Sequence, residues 1–115
     1  MWLMTQIGFF SIVCKPDDIG NGTLTIRARV KSDLEALRQN YLPNLGEIAT
    51  SADTDYRYRA RARRDEISQA LSKLVHQVEY DNFKNEVAKK QGKTRAKTYG
   101  EVWSVMYELQ ETQSN

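Results

Sequence analysis

The chain has 115 residues, which is enough for one domain with a modest core. Charged residues make up 28% of it, but the formal net charge is only +2, which excludes a polycation that binds nucleic acid through its total charge. One cysteine, Cys14, excludes an internal disulfide and any zinc site that needs several cysteines. We therefore expect one domain, residues 1–115, in a reducing cytoplasm.

The first 14 residues, MWLMTQIGFFSIVC, are rich in aromatic and β-branched residues and favour a strand over residues 2–14. They lack the basic start and small-residue cleavage site of a signal peptide, and they are too short and too polar to cross a bilayer. Gly8 interrupts this run and indicates either a bulge or a close approach to the backbone. The following KPDDIGNG, residues 15–22, is typical of a turn.

Strict alternation of apolar and polar residues predicts two more strands. The first is TLTIRARVK, residues 23–31, and the second lies at about residues 55–62 within DYRYRARARR. The residues that we expect to face the helices are Leu24, Ile26, Ala28, Val30, Tyr56, Tyr58, Ala60 and Ala62. The residues that we expect on the opposite face are Arg27, Arg29, Lys31, Arg57, Arg59 and Arg61.

Four helices are predicted from capping residues and apolar spacing. Ser32 and Glu35 form a capping box before the first, and Asp65 caps the second. The second helix has its apolar face at Ile67, Leu71, Leu74, Val75 and Val78. Asp81 or Asn82 caps the third, which Gly92 ends. The apolar stripe of the last helix consists of Tyr99, Val102, Trp103, Met106, Tyr107 and Leu109.

This order of elements predicts an α+β fold, a two-layer sandwich with C-terminal helices on one face of a three-stranded antiparallel sheet. A right-handed crossover places the third strand beside the first and gives the strand order 2-1-3, which resembles a shortened ferredoxin-like arrangement. The uncovered face then carries two rows of basic residues with the first strand between them. Either Phe9 or Phe10 would lie in the middle of that face.

Arginines beside an exposed aromatic ring suit single-stranded nucleic acid, because guanidinium groups pair with phosphate and rings stack on bases. The same arginines would also suit a solvated face or a face that a second copy buries. A second basic segment, KKQGKTRAK, carries five cations at a predicted helix–helix turn. The candidate ligand-binding residues are Arg27, Arg29, Arg57, Arg59, Arg61, Lys89, Lys90, Lys93, Arg95 and Lys97.

The sequence predicts no catalytic centre, cofactor or metal. His76 is the only histidine, and Cys14 follows an apolar strand, where we expect a buried, inert thiol. The loop pairs Asp17–Asp18 and Asp53–Asp55 are interpreted as turn formers. No phosphate-binding loop, dinucleotide fingerprint or nucleophile elbow is present.

Five stretches of the chain, taken together, carry a resemblance: GFFSIV, LTIRARV, TDYRYRA, YDNFKNEVA and VWSVMYEL. They resemble a family of small uncharacterised bacterial proteins of about this length that begin with Met-Trp, and the likeness runs over nearly the whole chain. The resemblance implies a stand-alone bacterial cytoplasmic protein and brings no activity and no catalytic residue with it. From the residues themselves we expect a non-catalytic module that binds nucleic acid or another phosphate-rich ligand. The alternative is a protein-interaction module or a homodimer that uses the open sheet face.

Overall fold

Antiparallel strands with one apolar face form the centre of the fold. The computed structural model describes residues 1–113, and the chain divides into two compact units, Met1–Val78 and a second that begins at Glu79. The strands of the first unit are β1 (Trp2–Thr5), β2 (Gly8–Val13), β3 (Thr23–Ala28), β4 (Ala49–Thr50) and β5 (Tyr58–Arg63). They form one antiparallel sheet in the order β1-β2-β3-β5-β4.

Four helices accompany this sheet, so the α+β class is confirmed. The first unit contains α1 (Lys31–Asn40) and α2 (Arg64–His76), together with a 3-10 turn over Pro16–Asp18. The second unit contains α3 (Phe83–Gln91) and α4 (Lys93–Gln113), which pack on each other. Among residues 1–113, no helix is both long and apolar enough to cross a membrane.

The sheet has five strands, so the prediction of three was wrong. Residues 2–14 form a hairpin of β1 and β2 rather than one strand. The Thr5 hydroxyl stabilises its turn, since Oγ1 donates to the Gly8 carbonyl at 2.9 Å and accepts the N–H groups of Ile7 and Gly8 at 3.2 Å. The turn contains no Pro or Asn, and Gly8, which follows it, was interpreted as a bulge or a close approach within one long strand, which is why the pattern missed the hairpin.

The predicted strand order 2-1-3 was also wrong. β5 pairs with β3 rather than with the N-terminal hairpin. Because β5 runs antiparallel to β3, the chain returns through α1 without a crossover. The register sets large residues of β3 opposite alanines of β5, with Leu24 opposite Ala62 and Ile26 opposite Ala60. The two basic rows are therefore direct neighbours, with no strand between them.

The core lies between one face of the sheet and the helices α1 and α2. It includes Phe10, Ile12, Ile26, Ala28, Leu34, Leu37, Ala60, Ala62, Ile67 and Ala70. Burial of each large side chain contributes about 1.5–3 kcal/mol to folding. The predicted inward faces of β3 and β5 are thus confirmed from Leu24 to Ala28 and from Tyr58 to Ala62.

The helices differ from the prediction mainly where they begin. Val30 and Arg63 are the N-caps of α1 and α2, so Ser32 and Asp65 lie inside the first turns instead of capping them. Asn82 does cap α3, accepting the Asn85 N–H at 2.9 Å. Gly92 ends α3 with a φ of 98°, a conformation that suits glycine.

The apolar face of α2 is narrower than the spacing predicts. Ile67, Ala70 and Leu74 are buried, at spacings of three and four residues. Val75 and Val78 were expected on the same face but are exposed. The buried carbonyl of Leu74 accepts a hydrogen bond from the Gln6 side chain at 3.2 Å, which ties the end of this helix to the hairpin turn.

Gly8 marks a close approach rather than a bulge. A Cβ atom at this position would lie 2.5 Å from Cγ of Asp33, a distance that real Cβ atoms essentially never show. The same carboxylate accepts the N–H of Phe9 through Oδ2 at 3.1 Å. The start of α1 is thereby held against the backbone of β2, and only glycine leaves room for it.

Candidate anion-binding site

The sheet face opposite the core carries the arginines. Its cross-strand pairs are Arg27 opposite Arg59 and Thr25 opposite Arg61. Phe10 is buried in the core, and because side chains alternate along a strand, Phe9 lies on the arginine face. Phe9 is therefore the phenylalanine that points outward. It lies at one side of the two basic rows, not in the middle of the face as predicted.

Tyr56 lies on this face too, although the alternation predicted that it would face the helices. Only 2% of its surface is exposed, and the guanidinium carbons of Arg27 and Arg29 lie 4.5 and 4.7 Å from the centre of its ring. The reason for the error is that β5 begins at Tyr58, so Tyr56 belongs to a loop where period two does not apply. Each cation–π contact contributes about 0.5–2 kcal/mol.

Three guanidinium groups surround Tyr56, and we call Arg27, Arg29 and Arg59 the arginine cluster. Their hydrogen bonds all go to neutral oxygens. Arg27 Nη2 donates to the Ser11 hydroxyl at 2.8 Å, and Arg29 Nε donates to the Asp55 carbonyl at 3.2 Å. Arg59 Nη2 donates to the Thr54 hydroxyl at 3.1 Å and to the Tyr56 carbonyl at 3.3 Å.

The arginine cluster has no carboxylate partner among the residues that the structure describes. Within residues 1–113, none of its three guanidinium groups has a carboxylate oxygen within 4.0 Å. Arg27 and Arg59 are half-buried, and each keeps a buried Nε–H that has no hydrogen-bond partner among the described residues. Arg29 is exposed, as is Arg57, which belongs to the same loop as Tyr56.

Two other arginines of β5, Arg61 and Arg63, have carboxylate partners. Arg61 pairs with Asp17 at 3.2 Å and with Asp18 at 3.4 Å. Arg63 pairs with Asp65 at 3.2 Å. Arg61 therefore belongs to the predicted basic row, but its charge is compensated by Asp17 and Asp18. Among the outward arginines of β3 and β5 that the structure describes, Arg27 and Arg59 thus keep their charge without a carboxylate partner.

Asp18 holds the other end of the face together through hydrogen bonds. The interpretation of this residue as a turn former did not include that role. Its carboxylate accepts the hydroxyls of Thr23 and Thr25 at 2.7 and 2.8 Å and the N–H of Lys15 at 2.8 Å. Burial raises the pKa of Asp18, but these hydrogen bonds and the charge of Arg61 outweigh it and hold the pKa below the ordinary 3.8. The signal in the sequence was an aspartate shortly before two alternating threonines.

No family model, curated protein or solved structure matches this chain. The resemblance to small bacterial proteins that begin with Met-Trp stays a prediction.

The second basic segment is a tight corner between two helices of the second unit. Lys89 and Lys90 lie in the last turn of α3, which ends at Gln91, Gly92 is the single linking residue, and α4 begins at Lys93. Lys90 lies 3.9 Å from the Glu86 carboxylate. In α4, Arg95 donates to the Tyr99 hydroxyl at 3.2 Å, while Lys97 is exposed. The ten candidate residues thus fall into two groups in different compact units.

Cys14 and His76 are both exposed. Cys14 is exposed, contrary to the expected buried thiol, because it lies one residue beyond the end of β2. His76 is exposed at the end of α2, with Nδ1 2.8 Å from the Ser72 carbonyl. Across residues 1–113, no three His, Cys, Asp or Glu side chains are grouped so that they could hold a metal ion.

Proposed function

We propose that this protein is a non-catalytic binding module for single-stranded nucleic acid or another phosphate-rich ligand, and that the arginine cluster is its binding site. The observation that carries the proposal is the contrast within one sheet face. Arg61 and Arg63 have carboxylate partners, whereas three guanidinium groups converge on Tyr56 without any among the described residues.

Clustered guanidinium groups suit phosphate in both charge and geometry. Each presents a planar fork of N–H donors that matches two phosphate oxygens, and charge-assisted hydrogen bonds are about twice as strong as neutral ones. Packing on Tyr56 orients Arg27 and Arg29 before any ligand arrives, which lowers the entropy cost of binding.

The contacts favour a phosphate backbone over bases. The ring of Tyr56 is buried under two guanidinium groups, so it offers no platform on which a base stacks. Phe9, the aromatic residue of β2 on this face, is half-buried and lies at one side of the two basic rows rather than among the arginines of the cluster. We therefore expect binding that depends on charge and salt much more than on nucleotide sequence.

Removing two charges from the cluster is expected to weaken binding much more than removing two elsewhere. The test compares Arg27→Gln/Arg29→Gln with the matched control Arg63→Gln/Arg64→Gln, since each lowers the net charge from +2 to 0. Anisotropy of a labelled oligothymidine at about 50 mM salt measures affinity, because phosphate contacts are strong there. The cluster variant should lose at least about tenfold, because hydrogen bonds to charged groups contribute about 1.5–3 kcal/mol.

Three further measurements make the outcome decisive. Thermal unfolding monitored by circular dichroism shows whether each variant is folded. Arg57→Glu is a second variant, which reverses one charge in the loop of Tyr56. It leaves the packing of Arg27 and Arg29 on the ring intact, so a loss of affinity in this variant comes from the charge. Competition by tripolyphosphate identifies phosphate as the recognised group. The proposal fails if the wild-type protein does not bind, or if both double variants lose affinity equally. If the cluster variant changes the molar mass rather than the affinity, the face is a protein interface instead.

A further inference from the structure

A cavity of about 670 Å³ lies beside the arginine cluster in the first unit. Its volume falls within the range of about 300–1,000 Å³ that is usual for pockets that bind small molecules. The side chains of the arginine face that line it belong to Thr25, Arg59 and Arg61. Arg59 therefore belongs both to the arginine cluster and to the cavity, so a ligand whose phosphate contacts Arg59 can extend into this space.

Short side chains keep the cavity open at the edge of the sheet. Ala49 of β4 is the partner of Arg59, and Ile48 packs against the core. Because side chains alternate along an extended segment, Glu47 and Ala49 both lie on the arginine face, and both line the cavity. The small residues Thr25 and Ala49 leave the space that the longer charged side chains surround.

Charged side chains of both signs line the cavity. Arg61 and Asp17 neutralise each other at 3.2 Å. Lys15, Arg59 and Glu47 have no oppositely charged group within 4.0 Å in the part of the chain that the structure describes. The cavity thus offers two cations to an anion and a separate carboxylate to N–H donors. A ligand that satisfies both carries a phosphate and, apart from it, a group rich in N–H donors.

The cations and the carboxylate lie at different places in the cavity. Lys15 lies beside β3, since the Asp18 carboxylate accepts both its N–H and the hydroxyl of Thr25, each at 2.8 Å. Glu47 precedes β4, on the other side of β5. Two strand spacings, about 10 Å, separate these two sides. The cavity therefore has room for a sugar and a base and not for a phosphate alone.

The carboxylate of Glu47 discriminates between bases by the edge that each presents. A carboxylate has two oxygens and only accepts hydrogen bonds. Guanine presents two adjacent donors, N1–H and the 2-amino group, which match those two oxygens. Adenine and cytosine set a ring nitrogen acceptor beside their amino group, and uracil and thymine set their N–H between two carbonyls. Guanine is therefore the base that fits this carboxylate without bringing an acceptor against it.

We propose that this cavity binds a guanine nucleotide, with the base on Glu47 and the phosphate on Arg59 and Lys15. The proposal rests on the proposed function, because its phosphate uses Arg59 of the arginine cluster. Phosphate contacts supply affinity and position, and the contact with the base adds selectivity at one nucleotide. An oligothymidine offers no such base, so phosphate contacts alone carry its binding.

The first test compares ligands by isothermal titration calorimetry at about 50 mM salt, where phosphate contacts are strong. Inosine triphosphate (ITP) differs from GTP only in lacking the 2-amino group, so it keeps the phosphates and loses one of the two donors to Glu47. GTP should bind about tenfold more tightly than ITP, and also more tightly than ATP, because hydrogen bonds to charged groups are strong.

The second test compares variants of the protein. Glu47→Gln raises the net charge from +2 to +3, so the loss of a charge effect cannot explain weaker binding. GTP should bind this variant about tenfold more weakly, whereas tripolyphosphate should lose no affinity. Glu35→Gln is the matched control, since this exposed residue of α1 brings the same change of charge away from the cavity. Ala49→Ile, at another exposed position, narrows the cavity and should weaken GTP but not tripolyphosphate.

The outcomes separate this proposal from the proposed function. Equal affinities for GTP and ITP, or equal effects of Glu47→Gln and Glu35→Gln, overturn the guanine site, while binding of tripolyphosphate still supports the arginine cluster. Absence of binding by tripolyphosphate and GTP alike overturns both. An oligothymidine that ends in one guanosine distinguishes the two sources of the ligand. Tighter binding than plain oligothymidine assigns the site to guanine within a strand, and preference for GTP alone assigns it to a free nucleotide.

Discussion

Replacing Tyr56 with alanine is expected to lower the free energy of unfolding by about 3–5 kcal/mol, the usual cost of deleting a fully buried aromatic ring. The ring is 2% exposed and lies beneath the guanidinium groups of Arg27 and Arg29, so its loss leaves a cavity and removes two cation–π contacts. Urea denaturation at neutral pH measures the change.

Tyr56→Phe is the matched control for that experiment. The Tyr56 hydroxyl is buried and has no hydrogen-bond partner among the described residues, so removing it deletes a group that gains nothing from burial. We expect stability within about 0.5 kcal/mol of wild type, or slightly above it. A cost of less than about 1 kcal/mol for Tyr56→Ala would show that the ring does not support this face.

The same two variants connect packing with binding. Without the ring, Arg27 and Arg29 lose the surface that orients them, so Tyr56→Ala is expected to bind oligothymidine more weakly than Tyr56→Phe does. Both variants keep every positive charge. A difference between their affinities therefore reports the orientation of the guanidinium groups rather than the total charge.

Replacing Asp18 with asparagine is expected to cost about 2–4 kcal/mol of stability at neutral pH. The two carboxylate oxygens accept from two threonine hydroxyls and one backbone N–H, and they lie beside Arg61. An amide offers one oxygen and turns an NH₂ group toward those donors. Asp17→Asn is the control, since that side chain is 80% exposed and should cost less than about 1 kcal/mol.

The effect of Asp18 should depend on pH in a defined direction. Its pKa in the folded protein lies below the ordinary 3.8, so its carboxylate stabilises the fold fully above pH 3.8. That contribution disappears as the pH falls through the lower pKa of the folded state. The difference in unfolding free energy between wild type and Asp18→Asn should therefore shrink in acid. A difference that is the same at neutral pH and well below pH 3.8 would contradict this assignment.

The sequence predicted the elements of the fold better than their arrangement. Alternation assigned the inward faces of β3 and β5 from Leu24 to Ala28 and from Tyr58 to Ala62, because period two is a property of the strand itself. The hairpin of β1 and β2 depends on one threonine hydroxyl, and the neighbour of β5 depends on the path of the chain through α1. Neither of these two features produces a periodic pattern of apolar and polar residues in the sequence.

The candidate site shows the same division. The alternation showed four arginines along one strand, Arg57, Arg59, Arg61 and Arg63. It did not show which of these arginines lack a carboxylate partner. Arg61 is neutralised by Asp17, which lies 44 residues away along the chain, and Tyr56 reaches the arginine face only because β5 starts two residues later. Ion pairs over such separations are set by tertiary structure, so composition and spacing do not reveal them.

The direct opposition of Arg27 and Arg59 has a consequence for how this protein responds to its surroundings. Like charges in opposite positions of neighbouring strands destabilise a sheet. An anion held between them removes that repulsion and binds the folded chain but not the unfolded one. On the proposed function, we therefore expect the melting temperature of the protein to rise with the phosphate content of the solution, and small anions can be ranked by the rise that each produces.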